Sequence, residues 1–348
     1  MPKQKQVRIG IVGAGLFTKT HMTEFAKVPE ARVVAFSRRT PAALKEIQER
    51  YGVSLGFTDY RDLLARKEID AVDVVTPTDS HHEIVLAALE AGKHVLCDKP
   101  LAMTASQARS MLSAAEKSGL VHATNFNQRG RTPVGRLQRY LADGFVGHIY
   151  TMNIRWWMTL QPDVRPEITS WRFSPESGGG PVYELVHVFD MARFLGGDVK
   201  RIVAMLATSE KKRAFADRPR GMAVKVPDTA GYMLEFVSGA TCVIHTSFVA
   251  RGTEPDGTTC VQVDVAGSRG RIATDGLFGL KGVTGKQGPL AQLDPRGPYP
   301  QPYEQFVRAI LHGEPVRTSF REGLEAAKLV DAAHRSARSG GWVTIKKG

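Results

Sequence analysis

The chain has 348 residues, too long for one ordinary core, so about two domains are expected. Its content of 42% apolar and 24% charged residues is that of a soluble globular protein and excludes disordered and fibrous classes. Lysine and arginine exceed aspartate and glutamate by 12, but the basic residues are scattered; the charge therefore points to a phosphate-bearing small cofactor rather than to nucleic acid.

The opening MPKQKQVRIG is basic and lacks an apolar signal core, so a cytoplasmic location is expected. VRIGIV (7–12) reads as a strand, Gly13-Ala14-Gly15 as a tight turn and the residues up to His21 as a helix. Strand, glycine turn and helix form the context of a dinucleotide fingerprint. The first glycine allows the turn, and the second lets the backbone approach a pyrophosphate at the helix N-terminus. Gly13, Gly15, Leu16 and Phe17 are the candidate cofactor residues here, with Thr18 where the usual pattern has a third glycine.

ARVVAFSRR (31–39) is a second strand, about 20 residues further on, where the ribose-reading residue falls. An acid there would accept from the 2′-hydroxyl of NAD. This strand ends in Ser37-Arg38-Arg39 instead, and a hydroxyl with a guanidinium binds a 2′-phosphate that a carboxylate would repel. NADP(H) is therefore favoured, with NAD(H) as the alternative.

PAALKEIQERYG (41–52) is helical, AVDVVTPT (71–78) a strand closing on a Thr-Pro break, and HHEIVLAALEAGKH (81–94) an amphipathic helix. KHVLCD (93–98) is a fifth strand, TASQARSMLSAAEKSG (104–119) a helix with a Thr cap, and VHATNFN (121–127) the sixth strand. Six strands alternating with helices predict a doubly wound parallel sheet, an α/β Rossmann domain over 1–124. Ligands of such sheets bind beyond the carboxyl ends of the strands. That places Lys99, just past the fifth strand and before Pro100, at the cofactor edge. The proline stops the strand and restricts the lysine backbone to extended forms.

The pattern then changes. A helix over 133–144 leads into HIYTMNIRWWM (148–158), a long strand, and a loop over 159–177 rich in Pro, Trp and charge. Strand-like runs recur at 199–207, 229–237, 240–249, 259–266 and 270–274 without intervening helices. They predict an α+β domain over 125–348 with a large, mostly antiparallel open sheet. The basic stretch EKKRAFADRPR (210–220) is short and broken by acids, and 276–300, with six Gly and four Pro, reads as a mobile or capping loop. Two late helices, 302–312 and 320–337, are expected to pack back on the first domain. Nowhere does an apolar run approach the roughly 18 residues of a membrane helix. The three cysteines, Cys97, Cys242 and Cys260, have no metal-like spacing and fit a reduced interior, and no metal site is expected. Trp156, Trp157 and Trp171 can stack on a sugar face or serve the core, and Arg129 can reach cofactor or substrate.

GIVGAGLFTKTH (10–21), VVTPTDSHHEIVLAALEAGKHVLCDKPLA (74–102), NFNQRGRTP (125–133) and SGGGPVYELVHVFDMARFLGGD (177–198) occur in this order over nearly the whole chain. Together they resemble the glucose–fructose oxidoreductase/inositol dehydrogenase/rhizopine-catabolism (Gfo/Idh/MocA) family, and VFDMARFLGG is particularly similar to inositol dehydrogenases. The resemblance implies a nicotinamide cofactor, hydride transfer at one carbon of a sugar or polyol, and a homodimer or homotetramer. It implies that Lys99, in Asp98-Lys99-Pro100, hydrogen-bonds the reacting oxygen, with Asp98 close to the cofactor. Asp98 stands where the family has glutamate. Thr76, Pro77, Thr78 and His81 fall on the family's Thr-Pro-Asn-x-x-His motif, which lines the nicotinamide-ribose side. His187 falls on the catalytic histidine and Asp190 on its helix. Four residues before His187 the inositol dehydrogenases carry an aspartate, and this chain has Tyr183 beside Glu184; either takes over that role.

His187 suits acid–base work because an unperturbed imidazole titrates near pH 6.5, roughly at operating pH, and Lys99 can donate to a developing oxyanion. The substrate candidates are Lys99, Arg129, Trp156, Trp171, Tyr183, Glu184 and His187. Two other functions compete. A non-catalytic dinucleotide-binding sensor is disfavoured by the retention of Lys99 and His187, and an NAD-assisted glycosidase is disfavoured by the Ser-Arg-Arg end of the second strand.

Overall fold

In the computed structural model VRIGIV forms strand β1 (Val7–Val12), with five of its six residues buried, as a central strand covered on both faces requires. The described residues are 6–346 except 16, 132, 162, 164, 167, 253–258, 276–278, 286–287, 295–296 and 298; the side chains of Arg131, Thr259 and Cys260 are likewise left aside. The chain continues as α1 (Thr18–Phe25), β2 (Ala31–Ser37), α2 (Pro41–Tyr51), β3 (Leu55–Phe57), α3 (Tyr60–Leu64) and β4 (Ala71–Val74). Next come α4 (His81–Glu90), β5 (His94–Cys97), α5 (Ala105–Ser118) and β6 (His122–Thr124). The strands pair in parallel in the order β3-β2-β1-β4-β5-β6, the doubly wound order whose reversal falls between β1 and β4. β3 has three residues and no strand-like run announces it, so the sequence pattern leaves it unplaced. α5 starts where Thr104 Oγ1 accepts from the Gln107 amide at 3.2 Å, and stops at Gly119, whose φ of +66° a residue with a Cβ adopts only with strain.

The second half opens with α6 (Gln128–Arg131), α7 (Val134–Ala142), β7 (Ile149–Met158), α8 (Pro181–Glu184) and α9 (His187–Gly196). Strands follow: β8 (Val199–Ala207), β9 (Lys212–Phe215), β10 (Arg218–Ala223), β11 (Thr229–Phe236), β12 (Thr241–Ser247), β13 (Thr259–Gly267), β14 (Gly270–Asp275), β15 (Gly279–Thr284) and β16 (Ala291–Gln292). Helices α10 (Pro302–His312) and α11 (Phe320–Ser339) and strand β17 (Val343–Thr344) complete the chain. Nine strands form one sheet in the order β16-β15-β14-β13-β7-β12-β11-β8-β17, antiparallel throughout except for β7 with β12. One expectation changes here: the segment read as a loop over 276–300 supplies β15 and the edge strand β16. The basic stretch, to which the sequence pattern assigns no element, folds into the separate β9–β10 hairpin.

The chain divides into two compact units, Met1–Phe126 with Pro300–Ala327, and Asn127–Tyr299 with Lys328–Gly348. Strand alternation sorts the core of the first. Val72 and Val74 join Leu63, Leu64, Ile84, Val85, Met111 and Leu112 from α3, α4 and α5. On the opposite face Ala71 joins Val7, Ile9, Leu96 and Phe25, together with Tyr303, Phe306 and Val307 of α10. Asp73 shares that second face by the same alternation and is fully buried. In the second unit Met152, Ile154, Trp156, Tyr232, Leu234 and Ile244 face inward, while Met205, Met233 and Val243 stay exposed. Cys97 and Cys242 are buried free thiols. No helix among the described residues is long and apolar enough to cross a membrane.

Candidate active site

The turn after β1 is built for close approach. Gly13 has φ +97°, and a Cβ there would lie 2.3 Å from Thr76 Cγ2 and 2.7 Å from the Val75 carbonyl oxygen. Its amide donates to the Ser37 carbonyl at 2.9 Å, and the Val75 amide donates to Val12 at 2.8 Å, so the carboxyl ends of β1, β2 and β4 are drawn together. A Cβ on Gly15 would meet nothing closer than 3.4 Å, leaving its outer side clear. No side chain caps the N-terminus of α1 and no acid lies in its first turn. This uncapped glycine turn fits the pyrophosphate of a dinucleotide. Phe17 is 41% exposed beside it, and Leu16 lies outside the described residues. Gly13→Ala should destabilise the turn by about 1–3 kcal/mol from the backbone alone, before the collision with Thr76. Calorimetry and dinucleotide titration of the variant check this, with loss of binding expected.

Ser37 ends β2 buried, and Arg38 follows, its amide donating to the Phe57 carbonyl at 3.0 Å. Among the described residues no carboxylate pairs with the Arg38 or Arg39 side chain. The loops after β4 and β5 are tied to each other. His81, 1% exposed, sets Nδ1 2.8 Å from the Pro100 carbonyl and Nε2 2.9 Å from the Thr76 carbonyl. Ser80 donates to Thr76 Oγ1 at 2.8 Å, and Thr78 is buried. His81 is thus a strut between the two motif loops. The Asp98 amide donates to Val74 at 2.9 Å, and Asp98 Oδ1 accepts from Asn125 Nδ2 at 3.2 Å. Lys99 is half-buried in this loop, and the Lys99–Pro100 peptide bond is cis.

In the second unit His187, the first residue of α9, is 4% exposed, and its ring stacks on the inward-facing Trp156 at 5.6 Å with an interplanar angle of 27°. Trp157 points to the other face of the sheet, where its Nε1 donates to His245 Nδ1 at 3.1 Å. Arg129 is bound by Asp190: Nε donates to Oδ2 at 2.9 Å and Nη2 to Oδ1 at 2.6 Å, with the guanidinium 4.4 Å from the Phe194 ring centre. This fork ties α6 to the His187 helix. Glu184 forms a buried ion pair with Arg172, whose guanidinium lies over the Trp171 ring at 4.5 Å. Tyr183 turns toward α11, its ring 5.4 Å from that of His334. Burial, and then the Asp331 carboxylate, raise the Tyr183 phenol above its ordinary value against a smaller opposite pull from Arg338. Tyr183 and Glu184, adjacent in sequence, therefore serve different surroundings.

A further polar cluster was not singled out by the sequence. His21 Nδ1 lies 2.7 Å from Asp73 Oδ2, both buried, and Asn125 and Tyr303 complete the group. Its signal is the carboxylate in the buried run AVDVV, which needs a partner.

Two family models match the chain: one described as oxidoreductase family, NAD-binding Rossmann fold, over residues 7–126, and one described as the GFO/IDH/MocA C-terminal domain, over 134–273. A levoglucosan dehydrogenase of Pseudarthrobacter phenanthrenivorans is 27% identical, over 98% of both chains. A myo-inositol 2-dehydrogenase of Thermotoga maritima is 29% identical over 95% of this chain and 96% of its own. Among solved structures, a levoglucosan dehydrogenase in complex with NADH and L-sorbose superposes with a TM-score of 0.89 at 26% identity, covering 98% of this chain and 99% of the other.

Proposed function

The chain belongs to the GFO/IDH/MocA oxidoreductase family, and from that premise we propose that it is an NAD(P)-dependent dehydrogenase or reductase acting at a secondary alcohol or ketone carbon of a sugar, polyol or sugar derivative. The observation that carries this reading is the Asp98-Lys99-Pro100 loop at the carboxyl end of β5, cross-tied through His81 to Thr76 beside the glycine cradle. The relatives' names, with levoglucosan, inositol and L-sorbose among their ligands and substrates, support a polyhydroxylated substrate.

When bound, the nicotinamide supplies the hydride acceptor or donor. The chain's own residues handle orientation and the proton. Lys99 donates a hydrogen bond to the reacting oxygen and stabilises the charge that develops as the C–H bond breaks. His187 takes the hydroxyl proton in oxidation and returns it in reduction, so a secondary alcohol loses one hydride and one proton to become a ketone. The Trp156 ring fixes the imidazole plane, and the Arg129–Asp190 fork steadies the helix that carries it, which makes Arg129 a positioning residue. Tyr183 and Glu184 contribute to substrate contacts from their separate surroundings, and Trp171 lies beside the Arg172 partner of Glu184.

NADP(H) is the preferred cofactor in this reading. Ser37 and Arg38 at the end of β2 support it, and NADH in the levoglucosan dehydrogenase structure keeps NAD(H) as the alternative. The proposed setting is cytoplasmic, as a homodimer or homotetramer. The buried free thiols and the exposed Met205, Met233 and Val243 on the outer sheet face support this. The test is fluorescence titration with both cofactors, followed by a polyol and sugar panel read at the nicotinamide absorbance. Binding without turnover on any member overturns the enzymatic reading. Arg38→Ala should weaken NADP(H) binding far more than NAD(H), and equal losses would refute the phosphate assignment.

A further inference from the structure

The buried cluster under the Asp98-Lys99-Pro100 loop contains one group asked to do more than its chemistry allows. Asn125, 1% exposed, places Nδ2 2.8 Å from the Tyr303 hydroxyl, 3.2 Å from Asp98 Oδ1 and 3.3 Å from His21 Nε2. An amide nitrogen carries two hydrogens, so it serves two of these three at once. Its oxygen, Oδ1, is buried with no partner. On its other side His21 is held by Asp73 at 2.7 Å. A neutral His21 with its proton on Nδ1 accepts at Nε2 and tolerates the Asn125 amide. A doubly protonated His21 presents N–H to N–H. Turning the carboxamide by half a rotation relieves that clash without repacking, because the amide ends are nearly the same size. Oδ1 then accepts from Nε2–H and from the Tyr303 hydroxyl, and Asp98 loses its donor.

We propose that Asn125 is a positioning residue that couples the buried Asp73–His21 pair to the Asp98-Lys99-Pro100 loop, its carboxamide donating to Asp98 while His21 Nε2 is bare and turning to His21 once that nitrogen is protonated. The groups facing His21 are Asp73 from β4, Asp98 just past β5, Glu24 on its own helix, Asn125 just past β6 and Tyr303 from α10. Burial opposes the imidazolium most strongly, but the Asp73, Asp98 and Glu24 carboxylates together outweigh it and raise His21 above its ordinary value. Burial also raises Asp73, so the pair holds its proton firmly, and the Cys97 thiol is pushed up and stays neutral. Below the His21 midpoint Asp98 is released; above it Asp98 is held. The consequence for catalysis rests on the role given to Lys99 above, whereas the coupling itself belongs to the cofactor-free protein.

The test is therefore nuclear magnetic resonance on the cofactor-free protein across pH, following the His21 ring nitrogens, the Asn125 side-chain amide and the Lys99 side chain. The expected result is one shared midpoint for all three, and loss of the Lys99 step in Asn125→Ala. If that variant does not fold, Asn125→Asp decides. It is nearly the same shape, and ionised beside an imidazolium it accepts from His21 and has no hydrogen to give Asp98, so the His21 midpoint should rise by at least about one pH unit, a tenfold change in proton affinity, with no Lys99 step below it. An Asn125 amide that does not respond to His21, or a Lys99 step that persists in either variant, overturns the proposal. Because no substrate enters the measurement, a negative sugar panel and a negative coupling result remain separate outcomes.

Discussion

Lys99→Met should reduce kcat by about 10²–10³-fold, the usual loss when one donor to a developing oxyanion is removed, while cofactor affinity stays within a few-fold. The separation follows from where the parts lie. The dinucleotide cradle is formed by Gly13, Gly15 and the uncapped start of α1, whereas Lys99 stands just past the end of β5. The loop that carries Lys99 is fixed by other residues, through the Asp98 amide on Val74 and the His81 bridge from Pro100 to Thr76. Removing the ammonium should therefore leave the loop standing. Equal falls in kcat and kcat/KM are expected, because the contact strengthens only as charge develops. An unchanged kcat on every sugar that the native enzyme turns over would exclude Lys99 from the reaction.

Arg129→Met should be the most damaging single change to stability among the residues considered. Its guanidinium and the Asp190 carboxylate are 5% and 2% exposed and joined by two charge-assisted hydrogen bonds. Truncation strands a buried carboxylate, and breaking such a pair costs about 3–5 kcal/mol. For a unit of this size that corresponds to a fall in melting temperature on the order of 10 °C. The double variant Arg129→Met with Asp190→Leu should recover much of the loss, because two apolar groups leave no orphan charge. Calorimetry of the single and double variants decides the matter. A double variant as unstable as the single one would show that the fork matters for something other than charge pairing.

Much of the architecture is legible in the sequence because it depends on local pattern. The VRIGIV run, the glycine turn, the Thr104 cap and the alternation in HIYTMNIRWWM each specify their element without help from distant residues. β3 escapes because its three residues, LGF, carry no period to count. β15 escapes because LKGVT sits among glycines and prolines that signal a loop, although alternate residues of it are buried. The pairings at the site are harder to read. Arg129 finds Asp190 across 61 positions and His21 finds Asp73 across 52, and nothing local marks either partner. The motif residues indicate which side chains act, but not that His81 spends both ring nitrogens on backbone carbonyls, nor that Tyr183 and Glu184 part company within one short helix.

The return of Pro300–Ala327 to the first unit has a consequence for how the protein is made. The nucleotide-binding sheet leaves the ribosome early, yet Tyr303, Phe306 and Val307 cover Val7, Ile9, Phe25 and Leu96 only after the 173 residues of Asn127–Tyr299 have been synthesised. At ribosomal speeds of about 5–20 residues per second, that leaves an apolar sheet face waiting roughly 10–35 seconds for its lid. The nascent chain is therefore a natural client for chaperones during that interval. A gene fragment ending at Phe126 would leave that face permanently open and should aggregate, whereas one that splices α10 directly onto the first unit has the means to close it.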